Sequence, residues 1–313
     1  MPTIDDRVAD LLTAPHFERA AVSLASGFAA IQHAAPRLTS LFSTQQRWLM
    51  SHVALALYFR ATRTDCPGLS LRTILDELLP HGLVSRNTVA AYFSELRHYG
   101  IIRPVASTGF VEPDSAVLTA LAEWFRLHLA ALDMLDGRDR VALLRRYGEG
   151  FLAEIEPAVA DALVRCTAIR MPPPIYALFA HIDDGGSLMD RLMLGLEPGT
   201  CPRQERASTP ITSVSTLAHG LNLSRTHAGR ILATAMAAGA LGWSGRPGRS
   251  PIWLSPVFRA EYARMQATKL AIIDAALASF ARGTETAMPA GWSGEDTAGG
   301  PPGMPAWTVS DAS

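Results

Sequence analysis

Apolar residues recur at three-and-four spacing over 4–33, 44–62, 115–135, 139–168 and 257–281. That spacing lines one face of a helix, so each stretch is expected to be a helix burying a single stripe. Strand signals are few and short. Residues 241–244 with 251–254, and 102–106 with 109–112, alternate in the manner of strands and are joined by Gly-containing turns, which predicts two small hairpins. Between Glu197 and Pro210 the period is interrupted by Pro198, Gly199, Pro202 and Pro210, which predicts an irregular loop. From Gly283 onward Gly, Pro, Ser and Thr dominate with almost no charge, and residues 283–313 are expected to form a disordered tail.

Two segments share one grammar. In the second, residues 213–221 predict a short helix with Ser213 at its N-cap, and Asn222-Leu223-Ser224 forms a turn. Ser224 then caps a helix over 225–238 that Gly239 stops. Ala240-Leu241-Gly242-Trp243, a turn over 244–250 holding Arg246 and Arg249, and a return strand Pro251-Ile252-Trp253-Leu254 complete the unit. In the first segment, Leu71 to Leu79 is the short helix and Pro80 to Val84 a longer turn. Ser85 caps a helix over 86–99, Gly100 stops it, and a short hairpin follows from Ile101 to Glu112. Laying 85–102 on 224–241 without a gap matches Ser85 with Ser224, Arg86 with Arg225 and Gly100 with Gly239. Apolar Val89, Phe93, Leu96 and Ile102 fall on Ala228, Leu232, Ala235 and Leu241. Upstream, Asp6-Arg7-Val8-Ala9 recurs as Asp139-Arg140-Val141-Ala142, and two matches in similar register suggest an internal duplication.

Short helix, tight turn, capped helix, glycine stop and basic-tipped hairpin together resemble the winged helix-turn-helix family of DNA-binding domains, at its MarR-like end. The resemblance covers the two cores, about half of the chain, and extends to the flanking helices by analogy. It implies a mainly α fold with small β-hairpin wings: two winged helix-turn-helix domains joined and flanked by long helices. The expected division is 1–137, with the first winged helix at 44–112, then 138–282, with the second at 172–256, then the tail. In MarR-like subunits the flanking helices build a dimer interface, so one chain could imitate a dimer; a monomeric pseudo-dimer and a homodimer both remain open.

The resemblance also places the capped helix in the major groove and the wing on the neighbouring backbone or minor groove. On the second helix, Ala228, Leu232 and Ala235 share the packing face, while Arg225, Thr226, Gly229, Arg230 and Ala233 point away. Arginine reads guanine through two parallel hydrogen bonds and threonine meets the thymine methyl. His227, near the border, is in reach of a phosphate or a base. The expected contacts are therefore Ser224, Arg225, Thr226, His227 and Arg230 on the helix, with Arg246 and Arg249 at the wing tip. Ser85, Arg86, Asn87 and Thr88 are their weaker counterparts in the first copy, whose wing tip Ala106-Ser107-Thr108-Gly109 is uncharged.

Charge changes the picture locally. The 313 residues carry 28 basic and 29 acidic side chains, a formal charge of −1, which excludes a uniformly basic nucleic-acid coat. Yet from Ala207 to Ala260 there is no Asp or Glu, against Arg225, Arg230, Arg246, Arg249 and Arg259. Positive charge concentrated on one motif of a balanced chain is the footprint of a local nucleic-acid face. The competing reading is a solvated surface in a chain that uses arginine almost exclusively, Lys269 being its one lysine, a bias attributable to GC-rich coding.

Other chemistry is sparse. Cys66, Cys166 and Cys201 are too few and too scattered for a disulfide framework or a zinc set, and a reducing cytoplasm fits them. The opening residues carry acids and no long apolar core, and no stretch approaches a membrane span, so a cytoplasmic protein without membrane attachment is expected. No phosphate loop, dinucleotide fingerprint, nucleophile elbow, HExxH or kinase set occurs, so neither an enzyme nor a metal or other cofactor is expected. His98 and His128 read as surface or packing residues, and Asp183-Asp184-Gly185-Gly186 as a helix exit. Trp124, Phe125, Tyr147 and Phe151 could line a small-molecule effector pocket, with ordinary core packing the stronger reading.

The function expected is a sequence-specific double-stranded DNA-binding transcriptional regulator, a repressor by resemblance. Two rivals stand beside it: a plasmid-type replication initiator, which also joins two winged helices in one chain, and a winged-helix protein-interaction module without DNA binding.

Overall fold

The periodic stretches fold as helices, and they break where the sequence supplies a stop. The computed structural model describes residues 3–287, apart from the side chains of Arg37 and of 281–287. The expected helix over 4–33 divides into α1 (Ile4–Thr13) and α2 (Phe17–Ala34). Thr3 and Asp6 form a reciprocal capping box at the start of α1, and Ala14 turns extended ahead of Pro15, whose ring disfavours a helical predecessor. Then come α3 (Pro36–Ser40), α4 (Gln45–Arg63), α5 (Leu71–Leu78) with a 3-10 turn at Leu79–His81, and α6 (Arg86–His98). The strands β1 (Ile102–Pro104) and β2 (Val111–Pro113) form an antiparallel pair with Arg103 opposite Glu112.

The long α7 (Ser115–Asp136) follows. The expected helix over 139–168 divides into α8 (Arg140–Tyr147), α9 (Glu149–Arg165) and α10 (Thr167–Arg170), with the first break at Gly148. Next are α11 (Pro174–Ala180), α12 (Gly185–Leu194), β3 (Ala207–Ser208), α13 (Val214–Ala218), α14 (Arg225–Ala237), β4 (Leu241–Trp243), β5 (Ile252–Leu254) and α15 (Pro256–Ala287). β5 lies between β3 and β4, antiparallel to both, so the loop expected to be irregular over 197–210 contributes a strand. α15 also runs past 281 into the tail expected to be disordered; the remainder of that tail, 288–313, lies outside the described residues. The chain is thus mainly helical with two small antiparallel sheets.

Three apolar clusters organise these elements. The largest is central and draws on α1, α2, α4, α7, α9 and α15, with Phe125, Leu129, Phe151, Val159 and Ile273 among its solvent-free side chains. A second lies beneath α14 and the three-stranded sheet, around Phe179, Leu188, Leu232, Ile252 and Phe258. A third lies beneath α6 and the two-stranded sheet, around Met50, Leu78, Val89, Leu96 and Ile102. Two helices tie the peripheral clusters to the centre. α4 gives Leu49 and Phe59 to the central cluster and Met50 and Leu57 to the third. α15 begins in the second with Phe258 and Tyr262 and continues through the first from Met265.

The central cluster contains one buried polar pair. His52 on α4 meets Glu156 on α9 at 2.7 Å, and the second carboxylate oxygen of Glu156 has no partner. Burial pushes the Glu156 carboxyl above its ordinary range. His52→Leu should therefore cost about 2 kcal/mol, because the stranded acid takes up a proton rather than staying charged. Adding Glu156→Leu should recover part of that loss in urea denaturation, because it removes the stranded acid. A double variant no more stable than the single one would show that the stranded acid is not what the single variant loses.

Candidate nucleic-acid interface

The two segments matched in sequence make the same backbone bonds at a constant offset of 139 residues. At the start of α6 the Val89 amide donates to the Ser85 carbonyl, and at the start of α14 Ala228 donates to Ser224. Each helix ends in a Schellman motif. In the first, Gly100 donates to Arg97 and Ile101 to Leu96; in the second, Gly239 donates to Met236 and Ala240 to Ala235. Gly100 and Gly239 hold φ of 68° and 71°, the left-handed region that this stop requires and that side chains disfavour. Each hairpin is closed at its base, by Asp114 donating to Ile101 and by Ser255 donating to Ala240, which leaves the second hairpin two residues longer.

The polarity of α14 follows the expected faces. Ala228, Leu232 and Ala235 are buried, joined by Ile231, which the sequence reading left unassigned. Ser224, Arg225, Thr226, His227 and Arg230 are exposed, as are Ala233, Arg246 and Arg249. The Ser224 hydroxyl accepts from the His227 amide at 3.1 Å, and the Ser85 hydroxyl from Thr88 at 3.1 Å, so both serines hold the starts of their helices. The tip of the β4–β5 hairpin is tied across its base: Gly245 N–H donates to the Ser250 hydroxyl at 2.9 Å, and that hydroxyl donates to the Arg246 carbonyl at 3.0 Å. Trp253 lies flat on Gly242, with the Arg206 guanidinium 5.0 Å from its ring, which stiffens the hairpin.

Not every arginine in the acid-free stretch faces solvent. Arg259 is 8% exposed and donates to the carbonyls of Cys201, Gln204 and Ser255, so it pins the 197–206 loop to α15 and is withdrawn from the candidate face. Arg225, Arg230, Arg246 and Arg249 have no ion-pair partner among the described residues.

The first unit is more neutral. Arg86, Asn87 and Thr88 are exposed at the start of α6. However, Arg103 on β1 pairs with Asp114, Arg47 pairs with Glu95 at 2.8 Å, and Arg60 with Glu77 and Asp161.

Behind the second unit lies a cavity of about 720 Å³ between α2, α3, α4, α7, α11, α12 and α15. Of the four aromatic residues considered for an effector pocket, Trp124 lines it. Phe125 and Phe151 are fully buried in the central cluster and Tyr147 packs at the surface on Phe280, so these three are structural. Its other main walls are Phe28, Phe42, Trp48 and Tyr176, and Lys269 reaches it from α15. Sequence reasoning missed this use of Lys269; the signal was a lone lysine inside the apolar stripe of α15.

The cavity wall is bonded to the turn ahead of α14. The Gln32 side-chain amide donates to the Gly220 carbonyl at 3.3 Å, and Asp184 accepts from the Asn222 amide. Arg191 donates to the carbonyls of Leu217 and His219 and to the Gln32 side-chain oxygen. Asp184 is 4% exposed and sits at φ 52°, a left-handed conformation that costs a non-glycine residue energy and is held here by its bond to the turn. Burial pushes its carboxyl above the ordinary range.

The chain matches no protein-family model, no curated protein and no solved structure. Among the described residues, no helix is long and apolar enough to cross a membrane, and no group of three or more His, Cys, Asp or Glu side chains is placed to hold a metal ion.

Proposed function

We propose that this chain is a sequence-specific double-stranded DNA-binding transcriptional regulator built on two winged helix-turn-helix units, and that it represses by covering promoter DNA. The observation that carries the proposal is the surface of the second unit. Arg225 and Arg230 at the exposed end of a capped helix, and Arg246 and Arg249 at a braced hairpin tip, form an unpaired basic face with no acidic residue between 207 and 260. In this reading α14 enters the major groove, where Arg225, Thr226 and Arg230 meet base edges and the free amides of its first turn favour a phosphate. Small Gly229 and Ala233 on the same side permit close approach. The wing arginines take the flanking backbone or minor groove.

The repeated backbone bonds support an internal duplication, with one chain supplying two half-site readers about one helical turn of DNA apart. The first unit then contributes mainly positioning, since Arg86 stands without the basic wing that accompanies Arg225.

The test is selection from a random duplex library with the full chain, followed by fluorescence anisotropy on the selected and a scrambled duplex across a salt series. A selected motif bound in preference to its scramble is expected, with log affinity falling linearly in log salt. Absence of binding to any duplex at low salt would overturn the reading and make the basic face a solvated surface of a protein-interaction module.

A further inference from the structure

The cavity behind α14 has the size and character of a ligand site. Its volume of about 720 Å³ falls within the range of small-molecule pockets, and its walls are mostly aromatic and aliphatic. Its charged groups are unequally satisfied. Glu123 is engaged by two nitrogens of Arg126 at 2.6 Å, Asp184 by the Asn222 amide, and Asp190 by the Tyr262 hydroxyl at 2.6 Å. Lys269 makes no hydrogen bond or ion pair among the described residues; its ammonium rests 5.9 Å from the centre of the Phe28 ring. The Gln45 side-chain oxygen, also on the cavity wall, is buried without a donor. The unmet demand is thus for one anion and one hydrogen-bond donor, on a largely apolar wall that is partly open to solvent.

We propose that this cavity binds an apolar aromatic small molecule bearing a single negative charge, its anionic group on Lys269, and that occupancy is transmitted to the turn ahead of α14 through Gln32 and Asp184. The transmission rests on the DNA-binding reading; the binding does not. Gln32 and Asp184 each have one side toward the cavity and one bond to the turn, at Gly220 and Asn222, so a ligand that displaces either loosens the support of the reading helix.

The use of lysine fits this role. In a chain where 27 of 28 basic residues are arginine, the cavity holds the exception. A guanidinium stays charged whether or not an anion is present, whereas an amine can release its proton from an empty apolar cavity. Burial lowers the Lys269 amine to about 8, against the pull of Asp190. The groups that act on it are Asp190 on α12, raised to about 6 by burial, and His128 on α7, lowered by burial to about 3 and therefore neutral; the Tyr176 and Tyr262 hydroxyls, both raised, act on Asp190. Anion affinity should consequently fall as pH rises through about 8, where Lys269 loses its charge, and rise as pH falls through about 6, where Asp190 loses its own.

The experiment titrates the full chain with 8-anilinonaphthalene-1-sulfonate and with N-phenyl-1-naphthylamine, the same ring system without the anion, by probe emission and by quenching of Trp48 and Trp124. One sulfonate probe per chain is expected, bound about tenfold more tightly than the neutral one, a difference of about 1.4 kcal/mol. Lys269→Met should remove that advantage and leave the neutral probe unaffected, and Ala120→Trp, which fills the cavity, should block both. Equal binding of the two probes, or sulfonate binding that survives both substitutions, overturns the site.

With a selected duplex present, saturating sulfonate probe should shift DNA affinity about fivefold or more, and Arg191→Leu, which unties Gln32 from the carbonyls of Leu217 and His219 without altering the cavity wall, should abolish the shift while leaving probe affinity intact. Probe binding without any duplex binding would defeat the DNA-binding reading and leave the site standing. Duplex binding without probe binding would do the reverse. Both without a shift would remove the coupling alone.

Discussion

Replacing Arg140 with alanine is expected to destabilise the chain by about 3 kcal/mol, the low end of the cost of removing one partner from a buried charge cluster. Arg140 is 6% exposed and its guanidinium meets three carboxylates: Asp133 at 3.1 Å, Asp136 at 2.6 and 2.7 Å, and Asp274 at 3.1 Å. Without it, three acids at the junction of α7, α8 and α15 face one another. Asp133 keeps the amides of residues 140 and 141, and Asp274 keeps Arg7, which holds the cost below the full penalty of three stranded charges. Arg140→Lys should recover only part of the loss, since an ammonium cannot bridge three carboxylates in one plane.

The sign of the pH dependence follows from Asp136. Its hydrogen bonds to Arg140 hold its carboxyl below the ordinary range, so this stabilisation is present above the ordinary carboxylate pKa of about 4 and is lost as pH falls through the lower folded value. The gap between wild type and Arg140→Ala in urea denaturation should therefore be widest near neutrality and narrow in acid. A gap independent of pH would mean that Arg140 acts through packing of its stem rather than its charge.

This cluster marks how far the sequence can be read. The repeated Asp-Arg-Val-Ala was visible, but its meaning was not. Asp6 is the third residue of its helix and Asp139 the N-cap of its own, so the two copies start their helices at different points. What they share is the arginine: Arg7 and Arg140 converge on the two oxygens of Asp274, more than 130 residues away from either. No local pattern encodes such a meeting. The two capped helices with their glycine stops and following hairpins were legible because capping serines, stop glycines and apolar spacing act within a dozen residues. Long helices were legible in extent but not in their breaks, where Pro15 and Gly148 prevailed over a continuing apolar period. The cavity was illegible for a stronger reason: its wall is assembled from single faces of separate helices and from the 35–44 segment, and each alone reads as ordinary core. Only the solitary lysine stood out, and coding bias explained the arginines without explaining the exception.

The second large effect is expected on DNA. Arg230→Ala should weaken binding to the selected duplex by about 1–3 kcal/mol, roughly 5- to 150-fold, and relax preference at one base position, while binding to the scramble changes little. Arg246→Ala should instead weaken both duplexes alike and lower the salt slope by about one counterion, the signature of a phosphate contact. Neither arginine has a protein partner among the described residues, so neither substitution should alter thermal stability, and a loss of DNA binding cannot be ascribed to unfolding. Arg259→Ala provides the opposite control. It should release the 197–206 loop and lower stability while leaving the specificity ratio unchanged, because its guanidinium is spent on the carbonyls of Cys201 and Gln204. Equal losses for Arg230→Ala on both duplexes would reassign that residue to the backbone and leave base reading to Arg225 and Thr226. Wild-type affinity in both Arg230→Ala and Arg246→Ala would remove the second unit from the DNA altogether and turn attention to Arg86 and Asn87 in the first.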